Sequence, residues 1–123
     1  MVKVGLNFMG ADRLLGADFA PILHLAERAD RLGVDLLSVP EHVAIGREAF
    51  EEPLYFNAPF PFPRDMAWYD PIAFLAAVAG RTARARLSMN VLIASLRPAV
   101  LLAKQGEIGF GKLMADERLR CRN

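Results

Sequence analysis

Glu41 and His42 stand directly behind a short apolar run, Leu36-Leu37-Ser38-Val39-Pro40, and both side chains are suited to proton chemistry. In parallel α/β folds chemistry gathers at the carboxyl ends of strands, which makes this pair a candidate catalytic site. A histidine there exchanges a proton with a substrate oxygen near neutral pH, and a neighbouring carboxylate sets its tautomer. The plainer possibility is that Glu41 caps a turn and His42 is a polar loop residue. A metal-dependent barrel enzyme using Glu41 and His42 is a further alternative, since both are ligand types, with His24 the other histidine and set in a helical pattern. Asn90, polar within an apolar run, needs a hydrogen-bond partner if buried, and either pairs with backbone or addresses a ligand.

These residues must be positioned by strands and helices, and the pattern supplies three such pairs. Val2, Val4, Leu6 and Phe8 alternate with Lys3, Gly5 and Asn7, as in a strand. Asp18 is placed to cap a helix whose stripe is Phe19, Ile22, Leu23, Ala26, Ala29 and Leu32, closed by Gly33. The nearly continuous apolar run from Val34 to Val39 predicts a second strand, buried on both faces of a parallel sheet. Asp70-Pro71 predicts the start of a second helix, Arg86 to Ser95 a third strand, and Pro98 the first turn of a third helix. Between them residues 43–69 lose all periodicity. That loop alternates prolines with Tyr55, Phe56, Phe60, Phe62, Trp68 and Tyr69, and a loop of this length points to function. Trp68 and Tyr69 are expected to lie over the second helix rather than to offer a stacking platform. Gly106, Gly109 and Gly111 are expected to interrupt any helix, which leaves residues 106–123 as a divergent or truncated tail.

Composition bounds the rest. The 123 residues are 54% hydrophobic and 24% charged, with a formal net charge of +1, so the chain folds and carries no electrostatic footprint for nucleic acid. Its single cysteine, Cys121, forbids an internal disulfide and suits a reducing cytoplasm. No run is apolar enough for a signal peptide or a membrane span. The expected partner is a small-molecule substrate. Gly5, Gly10 and Gly16 do not have the spacing of a dinucleotide fingerprint.

Taken in order, LHLAERADRLGVDLLSVPEHV and WYDPIAFLAAVAGRTARARLSMNVLIASLRPAVLLAKQ resemble the N-terminal part of the luciferase-like monooxygenase family, over residues 1–105. The resemblance implies an α/β chain holding the first three βα units of a (β/α)8 TIM-barrel-like fold, incomplete at Asn123. It also implies an oxidoreductase that uses reduced FMN or the deazaflavin coenzyme F-420 for monooxygenation or hydride transfer. His42 would then sit on the cofactor or substrate side with acidic Glu41 beside it. Asn90 and Val91 would carry a non-prolyl cis peptide backing the flavin ring, and residues 43–69 would cover the mouth. Strands four to eight, with their late phosphate-binding loops, have no counterpart here. A non-catalytic fragment or association module is therefore the competing expectation, with self-association through the open third strand.

Overall fold

The structure, a computed structural model, describes residues 2–16, 18–53 and 57–110. Three parallel strands, β1 (Gly5–Asn7), β2 (Leu36–Val39) and β3 (Arg86–Met89), form one sheet in the order β1-β2-β3. The helices are α1 (Ala11–Leu15), α2 (Phe19–Arg31), α3 (Glu48–Glu51), α4 (Pro71–Ala79) and α5 (Ala99–Phe110). The result is a small α/β assembly; a closed eight-stranded barrel is not seen among the described residues.

The register places Leu6, Leu37 and Leu87 in one row, and these pack with Phe8 and Val39 against Ile22 and Ala26 of α2 and Phe74 and Val78 of α4. The next row is polar. Asn7, Ser38 and Ser88 lie side by side across the three strands, and Asn7 Nδ2 donates to Ser38 Oγ at 3.0 Å. Because successive strand residues point to opposite faces, the sheet has one apolar face beneath the helices and one face with a polar row. As expected, β2 is buried on both faces, and Ser38, the polar residue of the run, is buried with its Oγ hydrogen-bonded.

Caps form where local chemistry requires them. The Asp18 carboxylate accepts from Ala20 N at 3.1 Å to start α2, and Asp70 accepts from Ala73 N at 2.8 Å to start α4, with Pro71 following. Gly33 takes φ +85°, the left-handed conformation that ends a helix. Several elements differ from expectation. β1 is limited to Gly5–Asn7, with Val2 and Val4 exposed. β3 stops at Met89 and not Ser95, because Ile93 N turns to Glu41 Oε2 and Ala94–Leu96 forms a 3₁₀ turn. Helix α1 occupies what reads as loop, and α3 lies inside the long aromatic segment. Helix α5 runs through Gly106 and Gly109 to Phe110, since a helical glycine costs only about 1 kcal/mol relative to alanine. Tyr55, Phe56, Cys121 and the rest of 111–123 lie outside the described residues. Among the described residues no helix is long and apolar enough to cross a membrane.

Carboxylates tie the strands at both ends. At the amino ends, buried Asp30 of α2 accepts from the backbone N–H groups of Ala83, Arg84 and Ala85 at 2.9, 2.9 and 2.6 Å, fixing the entry into β3. Beside it Asp35 accepts from Val4 N at 2.9 Å, which anchors the approach to β1. At the carboxyl ends the corresponding residue is Glu41.

Candidate functional site

Glu41 is 3% exposed, and both of its oxygens are engaged. Oε2 accepts from Ile93 N at 2.6 Å and Oε1 accepts from Arg97 Nη2 at 2.5 Å; the same Arg97 nitrogen reaches Asp70 Oδ2 at 3.0 Å. One carboxylate therefore joins the exit of β2 to the segment after β3, and through Arg97 to the cap of α4. The Arg97 guanidinium holds the Glu41 carboxyl below its ordinary value; burial pushes it up, and the Ile93 N–H pulls it down again. Glu41 is thus an ionised anchor. No hydrogen bond joins it to His42 in the structure, so the expectation of a carboxylate orienting the neighbouring imidazole gives way to one in which Glu41 positions backbone.

His42 faces the aromatic loop. Its ring meets Trp68 edge-on, with centroids 4.3 Å apart, and Phe60 at 5.5 Å. Phe60 in turn contacts Phe50 and Phe62, so Phe50, Phe60, Phe62 and Trp68 form a connected cluster with His42 against Phe60 and Trp68. That segment is fastened to the body of the fold. Arg13 pairs with Asp65 at 2.9 Å, Ala67 N donates to Asp12 Oδ2 at 3.1 Å, and Met66 is buried. His42, Ile45, Phe50, Arg64 and Trp68 line a cleft of about 180 Å³. Trp68 and Tyr69 part company: Tyr69 lies on Phe74 and Phe19, as expected of a cover for the second helix, whereas Trp68 turns to His42.

Asn90 continues the sheet by donating its N–H to Val39 O at 3.0 Å, which puts the Asn90–Val91 segment beside the β2 exit. Asn90 is exposed and stands after β3 rather than within it, so no buried partner is required. Val91 is 60% exposed. The cis peptide bond expected between them is present. His42, Asn90 and Val91 thus share the carboxyl ends of adjacent parallel strands, above the polar row of Asn7, Ser38 and Ser88. Sequence reasoning missed that row and also Arg97. The row has a faint sequence signal, one polar residue near the end of each strand. Arg97 had none, as it meets Glu41 across 56 residues.

The metal alternative lacks a ligand set. Among the described residues no three His, Cys, Asp or Glu side chains gather as a metal site, and His24 lies exposed beside Glu27, 3.5 Å away, on α2.

Residues 4–106 match the family model described as luciferase-like monooxygenase. The chain belongs to the luciferase-like monooxygenase family. No curated protein and no solved structure matches it. Luciferase-like monooxygenases are a flavin-dependent family and generally use a flavin or F-420. The residues at the strand ends fit the ring part of such a cofactor. An exposed apolar side chain, Val91, lies next to the amide of Asn90, and the Asn7–Ser38 pair offers polar groups one row below. Arg97 Nη1 is buried without a hydrogen-bond partner among the described residues. The cleft beside His42 is too small for the ring itself, since pockets for ligands of that size span roughly 300–1,000 Å³.

Proposed function

We propose that this chain forms the first three βα units of a (β/α)8 barrel and supplies the cofactor-facing site of a flavin- or deazaflavin-dependent oxidoreductase. The observation that carries this reading is the bond from Asn90 N to Val39 O, which sets the Asn90–Val91 segment beside the exit of β2 that leads to His42, in a chain of this family. Chemistry in parallel α/β folds is built at that end.

FMN or coenzyme F-420, when bound, supplies the hydride or oxygen chemistry. Asn90 and Val91 would hold the ring, with Val91 offering its apolar face. His42, half-buried against Trp68, gives or takes a proton at a substrate oxygen. The ring cluster of Phe60, Phe62 and Trp68 keeps water from that exchange. Glu41 stays ionised and transfers no proton; its Oε2 holds Ile93 directly, and with it the turn that presents Asn90 and Val91, while its Oε1 pairs with Arg97.

His42→Gln is expected to lower cofactor-dependent turnover about a hundredfold, the usual scale of a lost general acid or base. Its melting temperature should stay close to that of the parent, because glutamine keeps a polar end and much of the contact with Trp68. Turnover equal to the parent's would remove His42 from the chemistry.

A further inference from the structure

The cleft beside His42 has a chemistry of its own. Its walls are the rings of Trp68, Phe50 and His42 and the side chains of Val43 and Ile45, all from the segment that follows β2. At about 180 Å³ it is close to the roughly 150 Å³ of an apolar cavity that takes up benzene, so it has room for one ring. Among its lining residues Arg64 alone carries a permanent charge. The Arg64 guanidinium lies over the Phe50 ring, 5.2 Å from its centroid, and its Nη2 donates to Glu51 Oε1 at 2.8 Å. The Arg64 side chain is more than half exposed, and of its five N–H donors Glu51 takes one here.

We propose that this cleft binds an organic anion with a single planar ring, the ring lying among Trp68, Phe50 and His42 and the anionic group meeting Arg64. The inference rests on the reading of His42 as the proton-handling group, because the bound ring is then the substrate that His42 serves. Charge complementarity commits the cleft to an anion. A carboxylate or sulfonate gains a charge-assisted hydrogen bond from Arg64, a neutral alcohol gains a weaker one, and an ammonium meets repulsion. Glu51 competes with the ligand for the same guanidinium.

Trp68 is the sole tryptophan, so its emission reports on the cleft without any cofactor present. Benzoate, benzyl alcohol and benzylamine are titrated against the whole chain. Benzoate should change Trp68 emission saturably and bind several-fold tighter than benzyl alcohol, with benzylamine weakest. Arg64→Gln should weaken benzoate about tenfold and leave benzyl alcohol within about twofold, as expected when one charge-assisted contact is lost. Glu51→Gln, which frees Arg64 without touching the cleft walls, should tighten benzoate about threefold; circular dichroism checks that both variants are folded. Equal binding of the three probes, no response to benzoate, or a folded Arg64→Gln variant that keeps the preference for benzoate would each overturn the proposal. The titration needs no flavin, so its failure leaves the cofactor reading standing, whereas failure of cofactor binding leaves the anion binding standing and removes only the bound ring's place as the substrate of His42.

Discussion

Arg97→Met is expected to lower the unfolding free energy by about 3 kcal/mol, the scale found when one partner of a buried ion pair is removed. Glu41 is the reason. It is 3% exposed, and without the guanidinium its charge is left with the Ile93 N–H alone. Arg97 is itself only 14% exposed, so water does not screen the pair as it would at a surface. The loss has a distinctive pH dependence. In the parent the Glu41 carboxyl is held below its ordinary value, so its contribution to stability is fully present above the unfolded value of about 4.3 and fades as the pH falls through the lowered one. In the variant burial outweighs the remaining hydrogen bond, so the carboxyl is pushed above its ordinary value and protonation relieves the buried charge as the pH falls. The deficit should therefore be largest near neutrality and shrink as the pH falls toward 4. Denaturant unfolding of parent and variant at several pH values measures this; a deficit independent of pH would mean that Arg97 acts through packing. Replacing both residues, Glu41→Met with Arg97→Met, should recover part of the loss, because no unpaired charge is then buried.

Asp30→Ala should cost about as much, roughly 3 kcal/mol, by a different route. It removes one side chain and leaves three backbone N–H groups, those of Ala83, Arg84 and Ala85, without their acceptor. Of these Ala85 is the most deeply buried, so water replaces the carboxylate poorly there. Burial pushes the Asp30 carboxyl up, yet the hydrogen bonds from Ala83, Ala85 and Arg84 outweigh it and the group sits below its ordinary value. Its contribution is thus present above about pH 3.9 and lost as the pH drops through the lowered value. Asp30→Asn keeps one oxygen acceptor but no charge, so it should be intermediate in stability and less sensitive to acid than the parent. An Asp30→Ala variant as stable as the parent would show that the entry to β3 is held by the core alone.

Much of the scaffold was legible because its signals are local. Asp18, Gly33 and the Asp70-Pro71 pair mark helix ends through contacts made within a few residues, and these read correctly. Helix α1 was not legible: it has five residues and starts at Gly10, with no side-chain cap to announce it. The apolar run after Met89 reads as strand, yet Ile93 N is drawn to Glu41, 52 residues away, and no local pattern encodes that bond. The same holds for Asp30, which lies between two stripe residues of α2 and looks like a solvated charge until residues 83–85 arrive beside it. His42 stood out by its place after the second strand, Asn90 as a polar residue in an apolar run, and Val91 by resemblance alone. The polar row of Asn7, Ser38 and Ser88 becomes visible only with the register of pairing. Periodicity gave no reading of the aromatic segment, whose order comes from ring contacts and three ties to the body of the fold.

A fluorescence titration decides whether the strand ends around His42, Asn90 and Val91 hold a flavin or deazaflavin ring. FMN and coenzyme F-420 are each titrated into the whole chain and into Val91→Asp. Val91 is 60% exposed, so a carboxylate there should shift stability by no more than about 0.5 kcal/mol while placing a charge against the ring. The predicted result is saturable binding of one of the two cofactors by the parent, weakened at least about tenfold in the variant. Absence of binding of either cofactor at high micromolar concentration, or equal binding by a folded Val91→Asp variant, would contradict it.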